Sequence, residues 1–167
     1  MLNRIRQPGT RGLIFGLLCS ALIGAPTVSA AGSKQIVGAT EIVEIEPQQL
    51  RIKARVDSGA QTSSIHAEDI AIDQNGDPRG KPIAFTVINE HGQSQRIKTH
   101  VDKRVRVKTS EGSESRYAVP ITITWKESSK SVLVTLNNRR HMRHRLLLGR
   151  NWLRGDYIVD VELNDED

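Results

Sequence analysis

The residues with the clearest chemistry are Asp57-Ser58-Gly59-Ala60. They follow Leu50 to Val56, where Ile52, Ala54 and Val56 alternate with Arg51, Lys53 and Arg55, the period-two pattern of a half-buried strand. Asp57 therefore emerges at a strand end, where the chain must turn. Gly59 permits a tight, exposed loop, and Ser58 can hydrogen-bond the backbone across it. A carboxylate held in such a loop can act as a general base toward water. Asp-Ser-Gly is also a common turn sequence, so the tetrapeptide alone leaves a purely structural turn open.

Competing chemistries lack their residues. Ser58, Ser63 and Ser64 lie near His66, but no Gly-x-Ser-x-Gly elbow surrounds them. Glu68 and Asp69 do not stand out as a placed pair for glycoside hydrolysis. There is no phosphate-cradling Gly-x-x-x-x-Gly-Lys-Ser/Thr loop and no His-Glu-x-x-His helix. His141 and His144 are three apart, yet Arg139, Arg140, Arg143 and Arg145 surround them with positive charge that opposes a dication. The plain reading of that segment is a solvated basic loop. No metal and no cofactor is expected.

The elements that would position Asp57 read as strands. Besides residues 50–56, extended candidates are Ile36–Ile45, Ile83–Ile88, Arg96–Val101, the alternating stretch around Val105 and Val107, Tyr117–Trp125 and Val132–Leu136. The polar stretch Asn89-Glu90-His91-Gly92-Gln93 joins two of them as a hairpin turn. Asn75-Gly76-Asp77-Pro78 and Glu111-Gly112-Ser113 read as loops, and only Arg145–Leu153 lacks strand spacing and reads as a short helix. Many short strands at this spacing predict an all-β barrel or sandwich.

Residues 1–30 read differently. Arg4, Arg6 and Arg11 form a basic start, and Gly12 to Ala25 is an apolar run of fourteen residues, short for a membrane span. Val28-Ser29-Ala30 then supplies small residues for cleavage after Ala30. We therefore expect a signal peptide over 1–30, one domain over 31–167, a periplasmic or secreted product and no membrane span after cleavage. The sole cysteine, Cys19, falls in the signal, so the mature chain holds no disulfide. Setting the three arginines aside lowers the formal charge from +5 to +2. With aromatics at 4%, that balance argues against a nucleic-acid partner.

A distant segment adds to the reading of Asp57. Leu146-Leu147-Leu148-Gly149-Arg150-Asn151 lies roughly ninety residues downstream. Together the two motifs resemble the retroviral-type aspartic proteases, the retropepsins, over about residues 36 to 163. Asp57–His66 and Asn138–Asp160, with Thr62, Ser63, His66 and an Arg-x-x-Met ending at Met142, also resemble a bacterial family. Its members carry the label ATP-dependent zinc protease and are grouped with retropepsin-like enzymes. Some relatives act beside glutamate ligases on oligoglutamate tails, a substrate that an export signal points away from.

The resemblance implies an acid-protease closed β-barrel with one short C-terminal helix. It implies that Asp57 is catalytic and that Ser58, Gly59, Ala60, Thr62 and His66 support its loop. Leu148 and Gly149 would pack beneath that loop, and Arg150 and Asn151 would open the helix. Many retropepsins place an acid four residues after the catalytic aspartate, as a partner for this arginine. Here that position is Gln61.

Aspartic proteolysis needs two carboxylates sharing a proton and a water. With a single Asp-Ser-Gly, the second Asp57 would come from another copy across a two-fold axis, making a homodimer that cleaves a peptide or protein substrate. Asn89, Glu90, His91, Gly92 and Gln93 are the candidate flap. The alternative is an inactive module of the same fold that binds cell-envelope proteins or acidic polymers.

Overall fold

The extended run expected over residues 36–45 breaks at Gly38. In the computed structural model, which describes residues 33–109 and 112–163, β1 (Gln35–Val37) belongs to a separate two-stranded sheet. A Cβ at Gly38 would stand 2.3 Å from the carbonyl oxygen of Leu163. The C-terminal segment crosses here, and Ala39 N–H also donates to Leu163 O at 2.8 Å. Only glycine lets the two backbones approach so closely. The expected signal peptide and its cleavage site lie outside the described residues.

β2 (Thr40–Ile45) and β3 (Leu50–Val56) form an antiparallel pair in register from Thr40↔Arg55 to Ile45↔Leu50. In β3 the alternation holds: Ile52, Ala54 and Val56 are buried, whereas Arg51 and Arg55 are exposed. β4 (Ser63–Ile72) follows the Asp57 loop and has no counterpart among the strands expected from sequence. Its first five residues are all buried, and a register shift between Glu68 and Ala71, with Asp69 at φ 49°, interrupts the rest. A bulge of this kind erases the period-two signal.

β5 (Pro82–Ile88) and β6 (Ser94–His100) make the expected hairpin. β7 (Lys103–Thr109) pairs with the long β8 (Gly112–Trp125), which in turn pairs with β9 (Ser128–Asn137). Gly112 and Ser113, expected in a loop, open β8 instead. The segment expected as a short helix divides into β10 (Leu146–Leu148) and α1 (Arg150–Leu153), and β11 (Tyr157–Val159) then runs parallel to β1.

The strand pairings run β3-β2-β8-β9-β4-β10 and return to β3, so the sheet closes on itself. Inside sit Ile45, Ile52, Ile65, Ile123, Val134, Leu146 and Leu148. Trp152 of α1 is fully buried and stacks on Tyr157 at 4.1 Å, while Trp125 meets Tyr157 edge-on at 5.5 Å. The described residues are thus mostly β, with one short helix. Among the described residues no helix is long and apolar enough to cross a membrane.

Candidate active site

Three-residue β10 does the positioning. It lies between β3, to which it is parallel, and β4, to which it is antiparallel. Leu148 pairs with Val56, and the next N–H, that of Asp57, donates to Leu148 O at 2.9 Å. Asp57 therefore leaves the sheet from a fixed backbone point, half-buried. The loop then folds back on its own carboxylate. Gly59 N–H donates to Asp57 Oδ1 at 2.9 Å and Ala60 N–H at 3.2 Å. Ser58 and Gly59 are exposed, and a Cβ at Gly59 would stand 3.1 Å from Asp57 Oδ1. Any side chain there would crowd the oxygen that the loop holds.

Beneath the loop lies the start of α1. The first N–H groups of a helix have no partner within it. Here Arg150 N–H donates to Ala60 O at 2.8 Å, Asn151 N–H to Gln61 O at 3.3 Å, and Gly149 N–H to Ser63 Oγ at 3.0 Å. Asn151 Oδ1 accepts from both the N–H and the hydroxyl of Ser63, each at 2.9 Å, and its Nδ2 donates to Leu133 O at 2.7 Å. A Cβ at Gly149 would meet Thr62 C at 2.8 Å and Ala60 O at 3.0 Å. The absent acid at Gln61 has a replacement. Arg150 Nη1 donates to Ser58 O at 3.1 Å and Gly59 O at 2.9 Å, so the arginine grips the loop through backbone carbonyls.

His66 supports a different neighbour. Its ring is buried; Nδ1 accepts from Arg139 N–H at 3.0 Å, and Nε2 lies 2.9 Å from Glu68 Oε1. Accepting at Nδ1 fixes the hydrogen on Nε2, which donates to the carboxylate. A metal at either nitrogen would have to displace one of these bonds. The Arg140 guanidinium and His66 hold the Glu68 carboxyl below its usual range.

Clefts lie on two sides of the Asp57–Thr62 loop. One is lined by Asp57, Ser58, Lys53, Arg55, Arg143, His144, Val159 and Val161. Burial, and then the charges of Arg143, Arg55 and Lys53, push the His144 imidazole down. The other contains Ala60, Gln61, Thr62 and Ser64, with Lys103, Arg106, Arg116 and Arg139. Among the described residues lining this second cleft, four are cationic and none is acidic.

The structure thus brings Asp57, Ser58, Gly59, Ala60, Thr62, Leu148, Gly149, Arg150 and Asn151 together, with His66 behind them. It sets Asn89–Gln93 elsewhere. Asn89 is buried, donating to Arg51 O and Gln93 Oε1 at 2.9 and 2.8 Å, and Glu90 accepts from Lys53 N–H at 3.0 Å. This turn is tied to the first half of β3, while β7 and β8 contribute Lys103, Val105, Arg106, Val107 and Arg116 beside the Asp57 loop. Sequence reading singled out neither this hairpin nor the part of Arg139. Their signal is the alternation of cations with Val105 and Val107, and a basic cluster that follows a strand.

Comparison with known proteins gives the chain its family. Residues 36–165 match the model of the RimB-like family, described as retropepsin-like aspartic endopeptidase RimB. The chain belongs to this retropepsin-like family. Curated relatives include probable alpha-L-glutamate ligases. That of Shewanella pealeana is 39% identical over 111 residues, covering 65% of this chain and 24% of the ligase. That of Parasynechococcus marenigrum is 37% identical over 134 residues, covering 77% and 28%. The chain thus spans about a quarter of the length of these relatives. A crystal structure of a Legionella pneumophila protein of unknown function superposes with a TM-score of 0.66. It is 26% identical and covers 78% of this chain and 96% of that one.

Proposed function

We propose that the protein is an aspartic endopeptidase whose two catalytic carboxylates are Asp57 of each subunit in a homodimer. The observation that carries this reading is the loop itself. Asp57 stands at a strand end with Oδ1 held by two backbone N–H groups, on a base formed by Gly149, Arg150 and Asn151. In the dyad, one ionised oxygen takes a proton from water as the water oxygen attacks the peptide carbonyl. The protonated partner carboxyl donates to that carbonyl oxygen, and collapse of the tetrahedral intermediate returns a proton to the leaving amine.

Two features support a second copy. The chain has one Asp-Ser-Gly, and exposed apolar side chains gather on β1, β11 and the segment after β11. Ile36 and Ile158 are register partners, each 55% exposed, with Val161 and Leu163 also exposed. Val161 lines the same cleft as Asp57. Burying such residues against an identical surface is favourable at about 25 cal/mol per Å².

The substrate class we propose is a peptide rich in acidic side chains. Cations line both clefts beside Asp57, and the relatives' names connect the family with glutamate ligation. Residues 1–30 support export, so we propose a periplasmic location. The reading is tested by digesting glutamate-rich and neutral peptides with purified protein. Internal cleavage by wild type and none by Asp57→Ala is expected. Equal cleavage by both would overturn it.

A further inference from the structure

We infer that Arg139 seats a substrate carboxylate next to the scissile bond, and that His66 and Glu68 are the positioning residues that hold it there. This rests on the endopeptidase reading and names the residue behind its preference for acidic peptides.

Arg139 differs from the other cations of its cleft. Lys103 and Arg106 are exposed on β7, and Arg116 is already paired with Glu114 at 2.8 Å. Arg139 is half-buried and shares its cleft with Ala60, Gln61 and Thr62 of the catalytic loop. Its Nε donates to His144 O at 3.2 Å, and its two Nη groups have no acceptor among the described residues. Burial and the Arg116 charge disfavour its protonated form, while the Asp57 charge favours it. The guanidinium stands in the cleft beside residues 60–62 of the Asp57 loop and keeps its fork available. A planar fork matches a carboxylate in bidentate fashion. Ser64 lines the same cleft, and its buried hydroxyl has no partner among the described residues. A carboxylate in the cleft would give the guanidinium the acceptor it lacks.

A buried imidazole explains why Arg139 stays in place. His66 Nδ1 accepts from Arg139 N–H, and His66 Nε2 is held by Glu68 Oε1. Glu68 also accepts from Arg140 Nε at 3.2 Å and Nη2 at 2.8 Å. Residues 139 and 140 are thus fastened to β4 at two points, one through backbone and one through a side chain. β4 begins at Ser63, the residue gripped by Asn151 under the catalytic loop. One strand therefore sets the positions of both the loop and Arg139.

The test uses two peptides that differ only in Glu against Gln at one position beside the cleaved bond. Wild type should favour the Glu peptide by about tenfold to a hundredfold in kcat/KM, mostly through KM. Arg139→Gln should bring that ratio to about one, and Arg139→Lys should restore part of it. His66→Leu should lower the ratio, and His66→Asn, whose Oδ1 can accept from Arg139 N–H, should recover it. A merely structural His66 would lower activity on both peptides alike and leave the ratio intact. Binding of the same peptides to Asp57→Asn protein, with and without Arg139→Gln, separates the two claims. Arg139-dependent binding of the Glu peptide without cleavage by wild type would sink the endopeptidase reading and leave Arg139 as a carboxylate seat alone. Cleavage with an unchanged Glu/Gln ratio in Arg139→Gln would overturn this one alone.

Discussion

Asn151 grips Ser63 twice, accepting from its backbone N–H and from its hydroxyl at 2.9 Å each, across eighty-eight residues of chain. The third bond of the amide, to Leu133 O, ties the same point to β9. One side chain thus joins the end of the Asp57 loop, the start of α1 and a central strand. Asn151→Ala takes the partner from two donors, the Ser63 N–H and hydroxyl, and from one acceptor, Leu133 O, all partly buried. At about 1–3 kcal/mol per group the loss should be about 3 kcal/mol or more by denaturant titration, with activity falling alongside.

Gly149 is required for room. Its Cβ would press on Thr62 C at 2.8 Å, a backbone atom that cannot swing aside. Gly149→Ala should shift the Ala60–Ser63 backbone and, with it, Asp57. A displacement near 1 Å costs about a hundredfold in rate, so kcat should drop far more than stability does. A variant with wild-type kcat would show that the loop tolerates the shift.

Much of this site was legible because its parts are local. A strand of alternating cations, a carboxylate at its end and a Leu-Leu-Gly-Arg-Asn segment are each readable in a few residues. β4 was not, because Ser63, Ser64 and His66 are buried polar residues that mimic a loop, and the irregularity between Glu68 and Ala71 breaks the alternation. Two hairpins also carried similar local signals. The pairing of β8 with β2 and β9 brings β7 and β8 to the Asp57 loop, a fact of long-range register. The bond from His66 to Arg139 spans seventy-three residues and has no local trace.

The Glu68 carboxyl, held below its usual range first by Arg140 and then by His66, gives a pH signature. A group whose folded value is depressed contributes stability that is fully present above its unfolded value, about 4.5, and is lost as pH falls through the folded value. Wild type should therefore lose stability more steeply than Glu68→Gln below about pH 5, the two curves converging at the acid end. Parallel curves would mean that Arg140 and His66 do not stabilise the charged carboxylate.

The central claim is that each active site takes one Asp57 from each of two copies, and mixing subunits tests it most directly. Asp57→Asn protein is added to wild type under conditions shown to allow exchange, and peptide cleavage is measured per wild-type subunit. The asparagine cannot serve as the ionised base, and the remaining carboxylate loses the partner that shares its proton. At equal amounts random pairing leaves about a quarter of dimers fully wild type, so activity per wild-type subunit should fall to about half. A tenfold excess of the variant should nearly abolish it. Activity that simply follows wild-type concentration at every ratio would contradict the shared site and point to a catalyst complete within one chain.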